Sequence, residues 1–281
     1  MKKQFLLSIA GIVIVILLFW IGKTNINKPS PPKEMRNDSQ SFDILSFINK
    51  EKEKKDKSIL KKIEELESRI SKSDNIESKS AALSILASYY RDSVQLPEAY
   101  LYYTSQAANL DNSEKNLTFA AQLFLNVLRG EQNAGLIEWE SNEAVALFEK
   151  AIQLNPKNDS LKVGLGSCYV FGKGRNGDPQ QTMKGIQELL GVVRKDSNNM
   201  QAQLVLGIGG FISGQYDKAI TRLINVIAHE PNNIEAMAYL ADTYAAKGMK
   251  EEAVKWYKIS KRLANDEHYS NEVDQRIQQL H

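Results

Sequence analysis

The run Gly166-Ser167-Cys168-Tyr169-Val170-Phe171-Gly172-Lys173-Gly174 is where this sequence comes nearest to a catalytic motif. A phosphate-cradling loop needs four residues between its glycines, then Lys and a Ser or Thr whose hydroxyl reaches a metal ion. Here five residues intervene and Gly174 stands where the hydroxyl belongs, so that chemistry is not available. Cys168 is the single cysteine and cannot form an intramolecular disulfide. Its apolar neighbours Leu165, Gly166 and Tyr169 fit a small buried residue better than a nucleophile. The histidines His229, His268 and His281 are scattered, with no His-x-x-x-His pair for zinc. A Gly-x-Ser-x-Gly nucleophile turn is also missing. Most carboxylates alternate with lysines on polar faces. The residue chemistry therefore points to recognition, with no catalytic residues, cofactor, metal or small-molecule substrate.

The charge balance narrows the partner. Lys and Arg number 36 against 34 Asp and Glu, a net charge of +2. Nucleic-acid binding rests on clustered positive charge, which this balance does not supply. A protein or peptide is the expected partner. Few prolines and glycines and no sustained strand-like alternation make the chain all-α.

After a short tail (1–4), Phe5 to Gly22 is an apolar run broken only by Ser8. At about 1.5 Å per residue it reaches about 27 Å, enough to cross a hydrocarbon core. Trp20 falls at its end, where an indole suits the interface. The alternative, a cleavable signal, would have a shorter core and a small-x-small site, whereas this run ends Phe19-Trp20-Ile21-Gly22-Lys23. An uncleaved transmembrane signal-anchor is expected. Lys2 and Lys3 favour a cytoplasmic N-terminus and an exported C-terminal part, although Lys23, Lys28, Lys33 and Arg36 crowd the other side. Residues 23–42, with Ser30-Pro31-Pro32, form a polar spacer. Residues 43–78 then become helical and charged. Ile59, Ile63, Leu66 and Ile70 make one apolar stripe, and Glu65 with Arg69 a favourable i,i+4 pair. The stripe fits either a short coiled-coil stalk or a helix capping the C-terminal part.

From about residue 79 the chain repeats itself. Leu206, Gly214, Ala219 and Leu223 recur 34 residues later as Leu240, Gly248, Ala253 and Tyr257. A 34-residue helix–turn–helix period with small and aromatic residues at fixed offsets resembles the tetratricopeptide repeat. The pattern extends outward from those two units. Leu165-Gly166, Tyr169, Gly185, Leu189 and Val192 mark the preceding unit, and Ala121, Phe124, Ala144, Phe148 and Ala151 the one before. Leu86-Ala87, Tyr90, Ala99 and Tyr103 mark the first. Gly210 departs from the pattern by replacing the usual aromatic. Units near 80–112, 113–158, 159–199, 200–233 and 234–266 make a solenoid over 79–266, and 267–281 caps it with Val273, Ile277 and Leu280.

The resemblance, to a membrane-anchored bacterial type of repeat protein, implies a right-handed α-solenoid whose concave groove is lined by the first helix of each unit. Thr118, Gln122, Val163, Ser167, Val170, Leu204, Ile208, Phe211 and Asp242 project onto that wall, without the Lys/Asn/Arg set of a carboxylate clamp. The helix Met200–Ile212 is apolar nearly all round, which means either complete burial or an exposed strip of Leu204, Ile208 and Phe211 awaiting a partner. Two units exceed the period, at about Gly130–Ser141, which contains Trp139, and at Gly172–Pro179. Such inserts often emerge on a binding face, making Trp139, Lys173 and Arg175 a second contact set. Alternatively, Trp139 merely lengthens a helix. The implied function is a membrane-tethered adaptor that binds protein, with its repeats on the periplasmic side of a bacterial inner membrane. An accessory subunit of an envelope assembly or cytochrome-maturation complex is the alternative.

Overall fold

The computed structural model describes residues 42–174 and 179–280, and every described element is helical. The expected membrane segment 5–22, most of the spacer and Arg175 lie outside these residues. Among the described residues no helix is long and apolar enough to cross a membrane.

Two helices precede the repeats, α1 (Ile44–Lys52) and α2 (Lys57–Ser71). The stripe foreseen in 43–78 lies on α2 and is turned inward, with Ile48 of α1 beside it. Ile48, Ile63 and Leu66 are buried against Leu86, Tyr90, Leu96 and Ala99 of the first repeat. This face seals the end of the solenoid, and Glu65, with its partners Lys62 and Arg69, stays on the solvent side.

Five antiparallel pairs come next: α3 (Ile76–Tyr89) with α4 (Pro97–Asp111), α5 (Glu114–Leu128) with α6 (Ala134–Leu154), and α7 (Asp159–Cys168) with α8 (Pro179–Lys195). Then come α9 (Met200–Ile212) with α10 (Tyr216–His229), α11 (Ile234–Ala246) with α12 (Lys250–Ala264), and the single helix α13 (Glu267–Gln279). One apolar core runs from Leu101 to Leu240 through all the middle pairs. A smaller one joins Ala241, Ala253 and Tyr257 to Val273 of α13.

The sequence shows why the pairs are close. A Cβ on Gly166 would lie 2.6 Å from Leu189 Cγ, and one on Gly207 2.8 Å from Leu223 Cγ. Each glycine thus admits its partner helix at a distance no larger residue allows. Gly214 and Gly248 hold φ of +72° and +80° in the turns between paired helices, where a side chain would be strained. Asparagine begins the first helix of each later pair. The side chains of Asn158, Asn199 and Asn233 accept from the backbone N–H groups of Ser160, Ala202 and Ala236, satisfying donors that a helix start leaves open. The Asn-rich segments that close each unit in the sequence are therefore also the caps that open the next.

Two first helices do not end at the usual place. Tyr90–Val94 and Tyr169–Lys173 continue α3 and α7 as single π-turns. Such widened turns insert a residue into a helix. Here they bury Tyr90 and Val94 at one site, and Val170, Phe171 and Gly172 at the other.

Candidate functional site

The middle of the expected groove is filled by the protein itself. Val163, Ser167, Val170, Leu204 and Ile208 are all buried, so the exposed apolar strip foreseen on Met200–Ile212 does not exist as such. The cause is tight winding. Val170 and Ile186 pack against Gly209 at ordinary contact distance, 3.5 and 3.7 Å from a Cβ placed there. Arg129, at the end of α5, reaches across the intervening repeats to Glu235 at the start of α11, and its guanidinium lies 4.4 Å from the centre of the Phe171 ring. An ion pair joining the second repeat to the fifth closes the wall over α7 and α9. Phe211 is half-buried, packed edge-on to Tyr239 with ring centres 6.0 Å apart. Asp242 accepts from Tyr257 and, at 2.8 Å, from Arg276, and so anchors the capping helix α13.

The first insert and the described start of the second, Gly172–Gly174, also turn inward, correcting the expectation of a contact surface at Trp139. Residues 134–141 add turns to the start of α6, and Trp139 is buried there, edge-on to Phe124 at 5.2 Å between ring centres. Phe42, just before α1, packs on the same indole at 6.4 Å. The second insert meets the first. Gly172 lies so close to α6 that a Cβ would fall 2.0 Å from Ser141 Oγ, and Lys173 donates to the Asn142 side chain. The extra length in adjacent repeats is thus spent on mutual packing and on seating the N-terminal arm.

Of the projected wall residues Gln122 stands open, with Asn126 as its neighbour at 3.4 Å. It marks the part of the wall that remains accessible. A hollow of about 280 Å³ lies between α3, α4 and α5. Its floor is small, formed by Ala87, Ala107 and Ala108, and its sides carry the hydroxyls of Ser80, Ser84, Ser88 and Thr104. Ser80 and Ser84 donate to the carbonyls of Ala107 and Ser80. Phe119 forms one wall and is 54% exposed, and Ile85 on α3 is 50% exposed. At one end Arg91 is fixed by a two-point pair with Asp92, at 2.7 and 3.0 Å, and lies over the Tyr100 ring at 5.3 Å. The carboxylate partner holds the Arg91 guanidinium above its ordinary pKa, so it is charged at any working pH.

Sequence reasoning missed this hollow. The repeat pattern projects Thr118 onto the groove wall, yet its hydroxyl is buried without a partner and the adjacent Phe119 faces solvent. Chemically the arrangement can accept an apolar side chain and pair with backbone groups around it. Among the described residues no group of three His, Cys, Asp or Glu could hold a metal ion. The buried Cys168 thiol is pushed far above its ordinary pKa by desolvation, which removes it as a nucleophile.

Stacked antiparallel helix pairs, closed by glycine turns 34 residues apart and capped at both ends, define a tetratricopeptide-repeat solenoid. The family model described as tetratricopeptide repeat matches residues 211–271, from the end of α9 into α13. Among solved structures, the chain is similar to TTC0263, a thermophilic tetratricopeptide-repeat protein of Thermus thermophilus, at 18% identity and a TM-score of 0.53. That match covers 72% of this chain and 98% of the other. It is also similar to YrrB, described as a tetratricopeptide-repeat protein with an unusual peptide-binding site, at 20% identity and a TM-score of 0.43, over 70% of this chain and 92% of YrrB. Among curated proteins the chain finds no matching relative. At these identities the likeness establishes the fold.

Proposed function

We propose that the protein is a membrane-tethered adaptor that holds an extended segment of a partner protein in the hollow between α3, α4 and α5. The observation that carries this reading is the large apolar side chain of Phe119, left half in water beside a floor of alanines and hydroxyls. Further along the wall, at Leu204 and Ile208, side chains of this kind are covered. Exposed apolar surface rimmed by polar groups is where protein partners dock. Small floor residues let a peptide backbone approach, and the hydroxyl lone pairs can accept its N–H groups. The apolar run 5–22 supplies the tether and residues 23–42 the spacing from the bilayer. The lysine pair at the start favours an exported position for the repeats, which a reporter fused after His281 and active only in the cytoplasm would refute.

The adaptor reading is tested by crosslinked pull-down from native membranes, comparing the intact protein with Phe119→Asp. Because the side chain is already in solvent, the variant should keep its melting temperature and lose its partner. A partner retained by the folded variant would refute the assignment of this hollow.

A further inference from the structure

We infer that the fourth repeat carries a second binding site, for a carboxylate group, built around Arg222 on α10. It lies in a different repeat from the hollow described above and does not depend on that assignment.

The site is a hollow of about 560 Å³ lined by Gln203 of α9 and by Asp217, Lys218, Thr221, Arg222 and Asn225 of α10. Arg222 is half-buried, and its orientation is set by a chain of hydrogen bonds. Gln203, itself 7% exposed, donates through Nε2 to the Ser197 carbonyl at 2.9 Å. That fixes its amide so that Oε1 accepts from Arg222 Nη1. A guanidinium has five donors in a rigid fork, and Gln203 takes one from the side. Among the described residues no carboxylate pairs with Arg222. Asp217, the nearest candidate on the same helix, is engaged by Lys247 of the next repeat. Burial depresses the Arg222 pKa from its ordinary value, as expected of a cation removed from water without a counter-charge.

Desolvating a cation with only a neutral partner is costly, and a stable fold does not need it. The geometry instead presents a pre-oriented fork beside further donors. Lys218 Nζ is held over the hollow by Gln215 at 2.8 Å, and the Asn225 side-chain amide lies one turn further along α10. A planar carboxylate group matches this set, since it takes two parallel N–H bonds from one guanidinium. The source could be a glutamate or aspartate on a protein partner, or a small free carboxylate.

The test uses the full chain in a nonionic detergent, following the Arg222 Nε–Hε resonance by NMR at constant ionic strength. Sodium glutarate, a capped Gly-Glu-Gly tripeptide and sodium chloride are titrated separately. A saturable shift with the carboxylates and not with chloride is expected, and Arg222→Lys, which keeps the charge and loses the fork, should abolish saturable binding measured on the Asn225 amide. Tighter binding of the tripeptide assigns the site to a partner's acidic side chain, and tighter binding of glutarate to a free carboxylate. A non-saturating response, equal shifts with chloride, or undiminished binding by Arg222→Lys would each overturn the inference.

Discussion

Glu140→Gln should change the stability of this protein by an amount that grows as the pH rises. Glu140 sits on the added turns of α6, is 2% exposed, and its Oε2 has no hydrogen-bond partner. The charges that act on it are the carboxylates of Glu131 and Glu98, so desolvation and like-charge repulsion both push its pKa up, to about 8 from 4.5. The folded state therefore holds this proton over an interval in which the unfolded chain has released it. Stability contributed by the protonated form is complete below about pH 4.5 and is lost as pH rises through about 8. Each pH unit in between is worth at most about 1.4 kcal/mol. The whole interval would amount to about 5 kcal/mol if the site stayed dry, and water entry and relaxation reduce this to roughly 2–3 kcal/mol. Glutamine keeps the shape and removes the titration. A buried amide brings a cost of its own, about 1–3 kcal/mol if unpaired, but that cost does not vary with pH. Urea unfolding followed by circular dichroism at pH 5, 6.5 and 8.5 on both chains isolates the slope, since every other ionisation cancels in the difference. The Gln variant should gain on the parent by roughly 2 kcal/mol or more between the extremes. Parallel stability curves would show that Glu140 finds a partner or water in solution, and the burial argument would fail.

The packing sets two further outcomes. Gly172→Ala pushes a methyl into Ser141 and Leu128, and should destabilise the protein by about 1–3 kcal/mol in thermal or urea unfolding, with Ser141→Gly recovering part of the loss in the double variant. Equal stability of Gly172→Ala and parent would mean the two inserts do not meet. Asn233→Ala removes the cap of α11, and unfolding should report a loss of about 1 kcal/mol. No loss would mean water serves the open N–H groups equally well.

The repeat architecture was legible in the sequence because it is a local pattern. A 34-residue period, glycines at the turns and small residues opposite large ones each state what their own helix pair must do. From Leu86 to Tyr257 the small and large positions of the helix pairs are buried as the pattern requires, except Tyr103, which is half-buried. The capping role of α13 was equally visible through Val273, because one apolar face on a polar helix has one use.

The site was not legible in this way. Whether Leu204 and Ile208 face a groove or a core depends on how far successive pairs rotate, and that is fixed by contacts such as Gly209 with Val170 and Arg129 with Glu235, which lie far apart in the chain. Trp139 and Lys173 looked available because inserts usually project outward, yet Gly172 against Ser141 folds one insert onto the other. Thr118 was projected onto the open wall and its hydroxyl is buried, because a helix face turns by about 100° per residue, so one position of error swaps core for solvent. Periodicity specifies which helices pair. Only the accumulated winding of five pairs decides which residues the pairs leave in water.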